Sequence, residues 1–229
     1  MRYLKMLGLV ALASIALTAA AGTGSASAHA TLCKESAIPC GSSYKSGEHI
    51  TATAGTTRFT AGLEVTCTSS EATIELTGSG GEGKMKSLTF SGCKTGSTGC
   101  TVTAGGLPYS AEADVSGTGP NGTLTLAGGE ASVNCPGIGL TCTYSVTPLS
   151  LPIDGGPTAS LTANGIELKK ASGGFLCPST IKWDATYSTS NVWVHVLCSP
   201  ASKADFTTLE DCEALIKEEP GKGSWAPIA

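Results

Sequence analysis

Leu107-Pro-Tyr-Ser-Ala-Glu-Ala-Asp-Val115 sets Leu107, Tyr109, Ala111, Ala113 and Val115 at every second position, with Pro108, Ser110, Glu112 and Asp114 between them. Successive side chains of a strand point to opposite faces, so this stretch reads as a β-strand with one apolar and one polar face. Pro108 has no N–H to give a ladder, which places it at an edge or a strand start. The same period returns in Phe59-Thr-Ala-Gly-Leu-Glu-Val65 and Ile181-Lys-Trp-Asp-Ala-Thr-Tyr187. Further short strands are expected at 72–77, 85–90, 123–126, 131–135, 142–146, 159–163, 166–168 and 192–197. Turn signals fill the gaps, among them Gly78-Ser-Gly-Gly81, Pro120-Asn-Gly122, Asp154-Gly-Gly-Pro157 and Asn164-Gly165.

Short strands at turn-limited spacing, with no helical pattern between them, predict an all-β fold. The expected form is an antiparallel β-sandwich stapled by disulfides, with a barrel as the alternative. One short C-terminal helix is expected. Thr208-Leu-Glu-Asp211 resembles a capping box, and Leu209, Cys212, Leu215 and Ile216 share a face before Pro220 and Gly221 end it.

The first thirty residues read as an export leader. Arg2 and Lys5 precede an apolar run from 6 to 21, and the A-x-A sites Ala26-Ser-Ala28 and Ala28-His-Ala30 follow. Cleavage after Ala30 is the first choice, after Ala28 the second. Of 14 Lys and Arg, these two leave with the leader, so 12 stand against 18 Asp and Glu, a net charge of −6. A sparsely charged acidic chain has no basic patch for nucleic acid, and no second long apolar run exists for a membrane span. The expected organisation is a signal peptide at 1–30, a disulfide-closed N-terminal segment at 31–58, a β-sandwich at 59–197, and a helix with tail at 198–229. A secreted, extracellular monomer follows, with loose cell-wall association as a further option.

All ten cysteines lie after the leader, where disulfides persist. Three pairs share the spacing Cys-x6-Cys around turn-forming residues: Cys33–Cys40, Cys93–Cys100 and Cys135–Cys142. Such loops bring their ends within bridging distance, so three local disulfides are expected. Cys198 with Cys212 would then tie down the helix, and Cys67 would pair with Cys177. The rival scheme joins neighbouring strands, as in Cys67 with Cys93.

Several motifs carry a family resemblance: Leu32-Cys-Lys34 with Pro39-Cys-Gly-Ser42, Phe90-Ser-Gly-Cys93, Gly106-Leu-Pro-Tyr109, Cys142-Thr-Tyr144, and Cys177-Pro178 with Trp183-Asp-Ala-Thr-Tyr187. Over residues 32 to about 195 the chain resembles uncharacterised secreted bacterial proteins with a Cys-rich β-sandwich and no assigned activity. The resemblance implies fold and export, and no chemistry.

Catalytic groups are scarce. His29 leaves with the leader, His49 lies in a polar turn, and His195 sits in a strand with no Gly-x-Ser-x-Gly elbow to supply a nucleophile. Glu112 and Asp114 fall on one strand face about 7 Å apart by strand rise, a spacing a glycosidase could use. Glu64 could likewise meet Glu71 or Glu75 across a hairpin. Each also fits a solvated face opposite an apolar stripe. Trp183, Tyr187 and Trp193 could make a sugar platform, although the first two share parity with Ile181 and Ala185 and read as core. Trp225 is a lone tail aromatic. Asp154 stands without the further acids a calcium site needs, no Cys or His cluster suits a metal, and Asn121-Gly-Thr123 reads as a hairpin turn. No cofactor is called for. The expected function is noncatalytic: a secreted module that binds an extracellular partner or polymer, or belongs to the cell envelope. A carboxylate-pair hydrolase and a protease-inhibitor-like scaffold are the alternatives.

Overall fold

The computed structural model describes residues 30–36, 41–78, 81–115, 121–146 and 148–196 of the 229-residue chain. It is built of β-strands. The first, β1 (Ala30–Cys33), stands apart, and the others run end to end as eight long staves. Stave one joins β2 (His49–Ala54) to β3 (Thr57–Thr60), and stave two joins β4 (Glu64–Cys67) to β5 (Ser69–Leu76). Stave three is β6 (Glu82–Ser91) with β7 (Lys94–Thr95), and stave four is β8 (Thr98–Gly99), β9 (Thr101–Gly105) and β10 (Tyr109–Val115). Stave five is β11 (Gly122–Ala127) with β12 (Glu130–Cys135), and stave six is β13 (Leu140–Ser145) with β14 (Leu149–Asp154). Staves seven and eight are the single strands β15 (Gly156–Gly173) and β16 (Thr180–Val196).

Register shows that the pieces are continuous. Ala54 pairs with Ser70 and Thr57 with Cys67, so staves one and two keep one alignment across both breaks. Gly122 pairs with Ile153 and Cys135 with Leu140, which does the same for staves five and six. Each stave is antiparallel to the next, and the eighth returns to the first through Tyr187↔Ala54 and Trp183↔Phe59. The sheet therefore closes into an eight-stranded up-and-down barrel. This corrects the expected sandwich: two packed sheets would leave four edges, whereas here the last stave spends its second edge on the first. The expected boundary at residue 58 falls inside stave one.

Alternation now has a direct meaning. Ala54, Phe59, Val65, Leu76, Leu126 and Tyr187 point inward and are buried, while Thr53, Glu71, Lys84, Thr103 and Glu112 point outward and are exposed. A barrel spanning a membrane would carry the reverse pattern. Across the middle of the interior the Trp183 ring lies parallel to Phe59 with centroids 6.5 Å apart and meets Tyr187 edge-on at 6.2 Å. Ser70 Oγ and Tyr187 Oη share a buried hydrogen bond of 2.7 Å. The breaks in staves four and five meet at one level, where Tyr109 Oη donates to Gly105 O at 2.7 Å, with Glu130 O at 3.1 Å. Gly129 (φ +113°) lies so close to the Tyr109 ring that a Cβ there would overlap it, which only glycine avoids. Pro108 sits within this break, where no ladder bond is asked of it.

The two ends differ. β1 lies antiparallel on the last residues of β16, from Ala30↔Val196 to Cys33↔Trp193, and all four of its residues are buried. Leu32 enters the lower end beside Leu76, Leu124, Ile153 and Val192, leaving a gap of about 70 Å³. The lower end is plugged.

Disulfides join Cys67 to Cys93, Cys100 to Cys135 and Cys142 to Cys177. The expected local pairs Cys93–Cys100 and Cys135–Cys142, and the long staple Cys67–Cys177, are thus corrected; the rival Cys67–Cys93 is the one that forms. Cys93 and Cys100 do face each other, but Cys100 N–H donates to Cys93 O at 2.9 Å, and such hydrogen-bonded pairs keep their side chains farther apart. Cys67 and Cys93 have Cα atoms only 3.8 Å apart. Cys142 stands opposite Val133, so register denies it Cys135. Cys33 is also disulfide-bonded, and no described cysteine is free. Its expected partner Cys40, with Cys198, Cys212, the C-terminal helix, Trp225 and the leader with His29, lies outside the described residues.

Burial of Tyr187, only partly offset by its bond to Ser70, pushes its phenol up to about 12. The neutral form is favoured in the fold, so the stability it lends is full below the unfolded value near 10 and is lost as pH rises toward 12. We expect the full contribution of about 2–3 kcal/mol to be roughly half lost, about 1.4 kcal/mol, by pH 11. Tyr187→Phe should flatten that loss while lowering neutral-pH stability by about 1–2 kcal/mol, since Ser70 loses its partner. Urea unfolding at pH 7 and pH 11 measures both.

Candidate functional site: the open mouth of the barrel

Four turns meet at the upper end: 61–63, 96–97, 136–139 and 174–179. They join staves one to two, three to four, five to six and seven to eight. The disulfides close the seams between, Cys67–Cys93 across staves two and three and Cys100–Cys135 across four and five. Cys142–Cys177 ties stave six to the turn after stave seven. The rim is therefore covalently continuous from stave one to stave eight, and only the last seam rests on hydrogen bonds alone.

Within this rim opens a cavity of about 280 Å³. Staves one and two supply Phe59, Ala61 and Val65, and staves five and six supply Val133, Leu140 and Tyr144. The seven-to-eight turn brings Phe175, Leu176 and Pro178 over the opening, and Leu63 stands at its edge. Gly173 (φ +133°), packed against Cys142 and Cys177, starts this turn where a side chain would collide with the disulfide. Lys170 Nζ donates to Cys177 O at 3.1 Å from below.

The lining carries no acid, base or nucleophile. Its one ionisable group is the Tyr144 phenol, which burial pushes up, so it stays neutral. Beneath the cavity, Trp183 Nε1 and Thr57 Oγ1 are buried with no hydrogen-bond partner, and Trp183 packs on Phe59 of the cavity wall. Unpaired buried polar atoms are costly, and a water or a polar atom of a ligand would satisfy them.

The carboxylates weighed as glycosidase-like pairs do not line the cavity. Glu64, Glu71 and Glu75 lie along the same stave, and Glu75 is held by Lys86 at 3.0 Å, which keeps its carboxyl below the usual range. Glu112 is exposed and Asp114 half-buried on the outer wall, opposite Thr125 and Thr123. His49 is exposed and faces Glu75 across the ladder, while His195 pairs through its backbone with Thr31 of the plug. Trp183 and Tyr187 are core, as their parity implied, and Trp193 is half-buried beside Cys33. Asp154 bonds Ser160, and Asn121 accepts from Gly155 N in the lower turn. No described group of three or more His, Cys, Asp or Glu could hold a metal. The mouth residues Leu63, Val133, Leu140, Phe175 and Leu176 were missed as a set, because apolar residues at strand ends look like ordinary core.

The chain matches no family model, no curated protein and no solved structure.

Replacing Cys142 and Cys177 by serine frees the turn over the mouth. Loss of this 35-residue link should cost about 2–4 kcal/mol and lower Tm by roughly 5–15 °C. Non-reducing peptide mapping of the variant should still recover Cys67 with Cys93 and Cys100 with Cys135; scanning calorimetry reads the shift.

Proposed function

We propose that this protein is a noncatalytic binding module that takes a small apolar ligand, or the apolar end of a larger one, into the mouth of the barrel. One observation carries the reading: an open cavity of about 280 Å³ whose walls are aliphatic and aromatic, without an ionised group. An eight-stranded barrel has an interior just wide enough to be filled by side chains or to hold one small ligand. Here the lower half is filled and plugged, and the upper half is left open. The volume lies at the small end of the range for ligand sites, so one ring system or a short acyl segment fits. About eight buried methylenes would gain on the order of 6 kcal/mol before association costs, which sets affinity at tens of micromolar at best.

An extracellular setting agrees with the disulfides and with the leader-like N-terminus. The hydrolase alternative loses support, since the acids it needs lie on the outer wall and along one stave. An inhibitor-like scaffold would present a polar, extended loop to a protease, and the disulfide-bounded turns here surround an apolar opening.

The test is binding of the fluorescent probe N-phenyl-1-naphthylamine and its displacement by medium-chain fatty acids. We expect saturable one-to-one binding with a Kd of roughly tens to hundreds of micromolar. Ala61→Trp, which fills the cavity from its half-buried edge, should weaken binding at least tenfold or so with little change in Tm. Probe binding unchanged in that variant, or absent from the wild-type protein, would remove the mouth as the site.

A further inference from the structure

The docking surface proposed next rests on the mouth being an apolar binding site. Among the described residues, the exposed large apolar side chains are Leu63, Ile138, Phe175 and Leu176, and all four stand at the mouth. Phe175 is 94% exposed and Leu176 54%, values that a core residue out of place would not show on a turn held by a disulfide. They occupy three separate turn tips around an opening. The turn segments 61–63, 136–139 and 173–180 contain no charged residue at all. Just below them, exposed Lys94, Lys169 and Lys182 face outward, and exposed Lys170 is tied to Cys177 O at the rim, against the acids Glu64 and Glu167. Lysines thus outnumber acids at this end of a chain that is acidic as a whole.

Uncharged apolar tips above a collar of lysines form the pattern of a surface that enters a lipid interface, the tips reaching the acyl boundary and the ammonium groups meeting phosphate headgroups. A protein partner would instead call for a continuous apolar patch, and these tips surround a hole. We propose that the mouth docks end-on upon an anionic lipid surface, with Phe175, Leu176, Leu63 and Ile138 as the inserting tips. In that pose the cavity opens directly onto acyl chains, so the ligand passes from bilayer to barrel without crossing water. The plugged lower end and polar outer wall stay in solvent, which makes the protein peripheral rather than spanning.

The experiment is co-sedimentation of the full mature chain with vesicles of phosphatidylcholine alone or mixed equally with phosphatidylglycerol, run beside the naphthylamine assay. Binding to the anionic vesicles should exceed binding to the neutral ones about tenfold at low salt and fall as salt rises. Lys169→Glu with Lys182→Glu should abolish that preference while probe binding stays intact, because neither lysine lines the cavity. Ile138→Ser, also outside the cavity lining, should weaken vesicle binding several-fold. Phe175→Trp should add emission that brominated acyl chains quench. Probe binding without vesicle binding at any composition overturns the docking proposal and leaves the binding site standing. Vesicle binding without probe binding overturns the site. Self-association through this end, lost in Ile138→Ser and accompanied by no vesicle binding, also overturns the docking proposal.

Discussion

The seam between residues 49–60 and 180–196 turns a meander into a container. Seven of the eight seams join neighbours in sequence, which any antiparallel hairpin does. The eighth joins the ends of the sheet, and without it the inward side chains of Phe59, Trp183 and Tyr187 would lie on an open surface. Closure costs the entropy of bringing together segments more than a hundred residues apart, a long-range term that local turns do not offset. The stacked and edge-on contacts of Phe59, Trp183 and Tyr187 sit on this seam, and so does the Ser70–Tyr187 hydrogen bond. Three of the large buried aromatics, Phe59, Trp183 and Tyr187, therefore gather where no covalent link helps.

Around the mouth the remaining seams are closed by turns and disulfides in alternation. A rigid rim of this kind keeps an apolar opening from collapsing onto itself, which an unsupported cavity of this size would tend to do. It also lowers the ordering cost of any ligand that enters, since the site is already formed. The plug at the other end follows the opposite plan. β1 fills the lower interior and leaves little space, so one barrel carries a stability half and a binding half.

Much of this was legible in the chain, and the losses have physical causes. Two-residue alternation in 107–115, 59–65 and 181–187 announced strands and told which face was inward; the burial of Trp183 and Tyr187 followed from parity alone. The number of strands was not legible: Gly128-Gly129 looks like a turn between two strands and is a bend within stave five, and the run read from Leu107 begins partway along stave four. Barrel and sandwich were indistinguishable, since both need the same alternation and differ only in one long-range pairing. For Cys93/Cys100 and Cys135/Cys142 the Cys-x6-Cys spacing was real but its meaning was inverted: it marks the two sides of a turn whose cysteines reach across to the neighbouring staves, and only ladder register reveals that. The mouth was hidden for a similar reason: Leu63, Leu140 and Leu176 acquire a common address only once the barrel closes.

Closure is best tested by amide contacts across the last seam. In nuclear Overhauser spectra of the protein, the account predicts cross-peaks linking the backbones of Phe59 and Trp183, and of Ala54 and Tyr187. Amides along both segments should also resist exchange as central strands do. An absence of these cross-peaks, with fast exchange along 49–60 or 180–188, would show two free edges and contradict the barrel, and with it the mouth that the barrel makes.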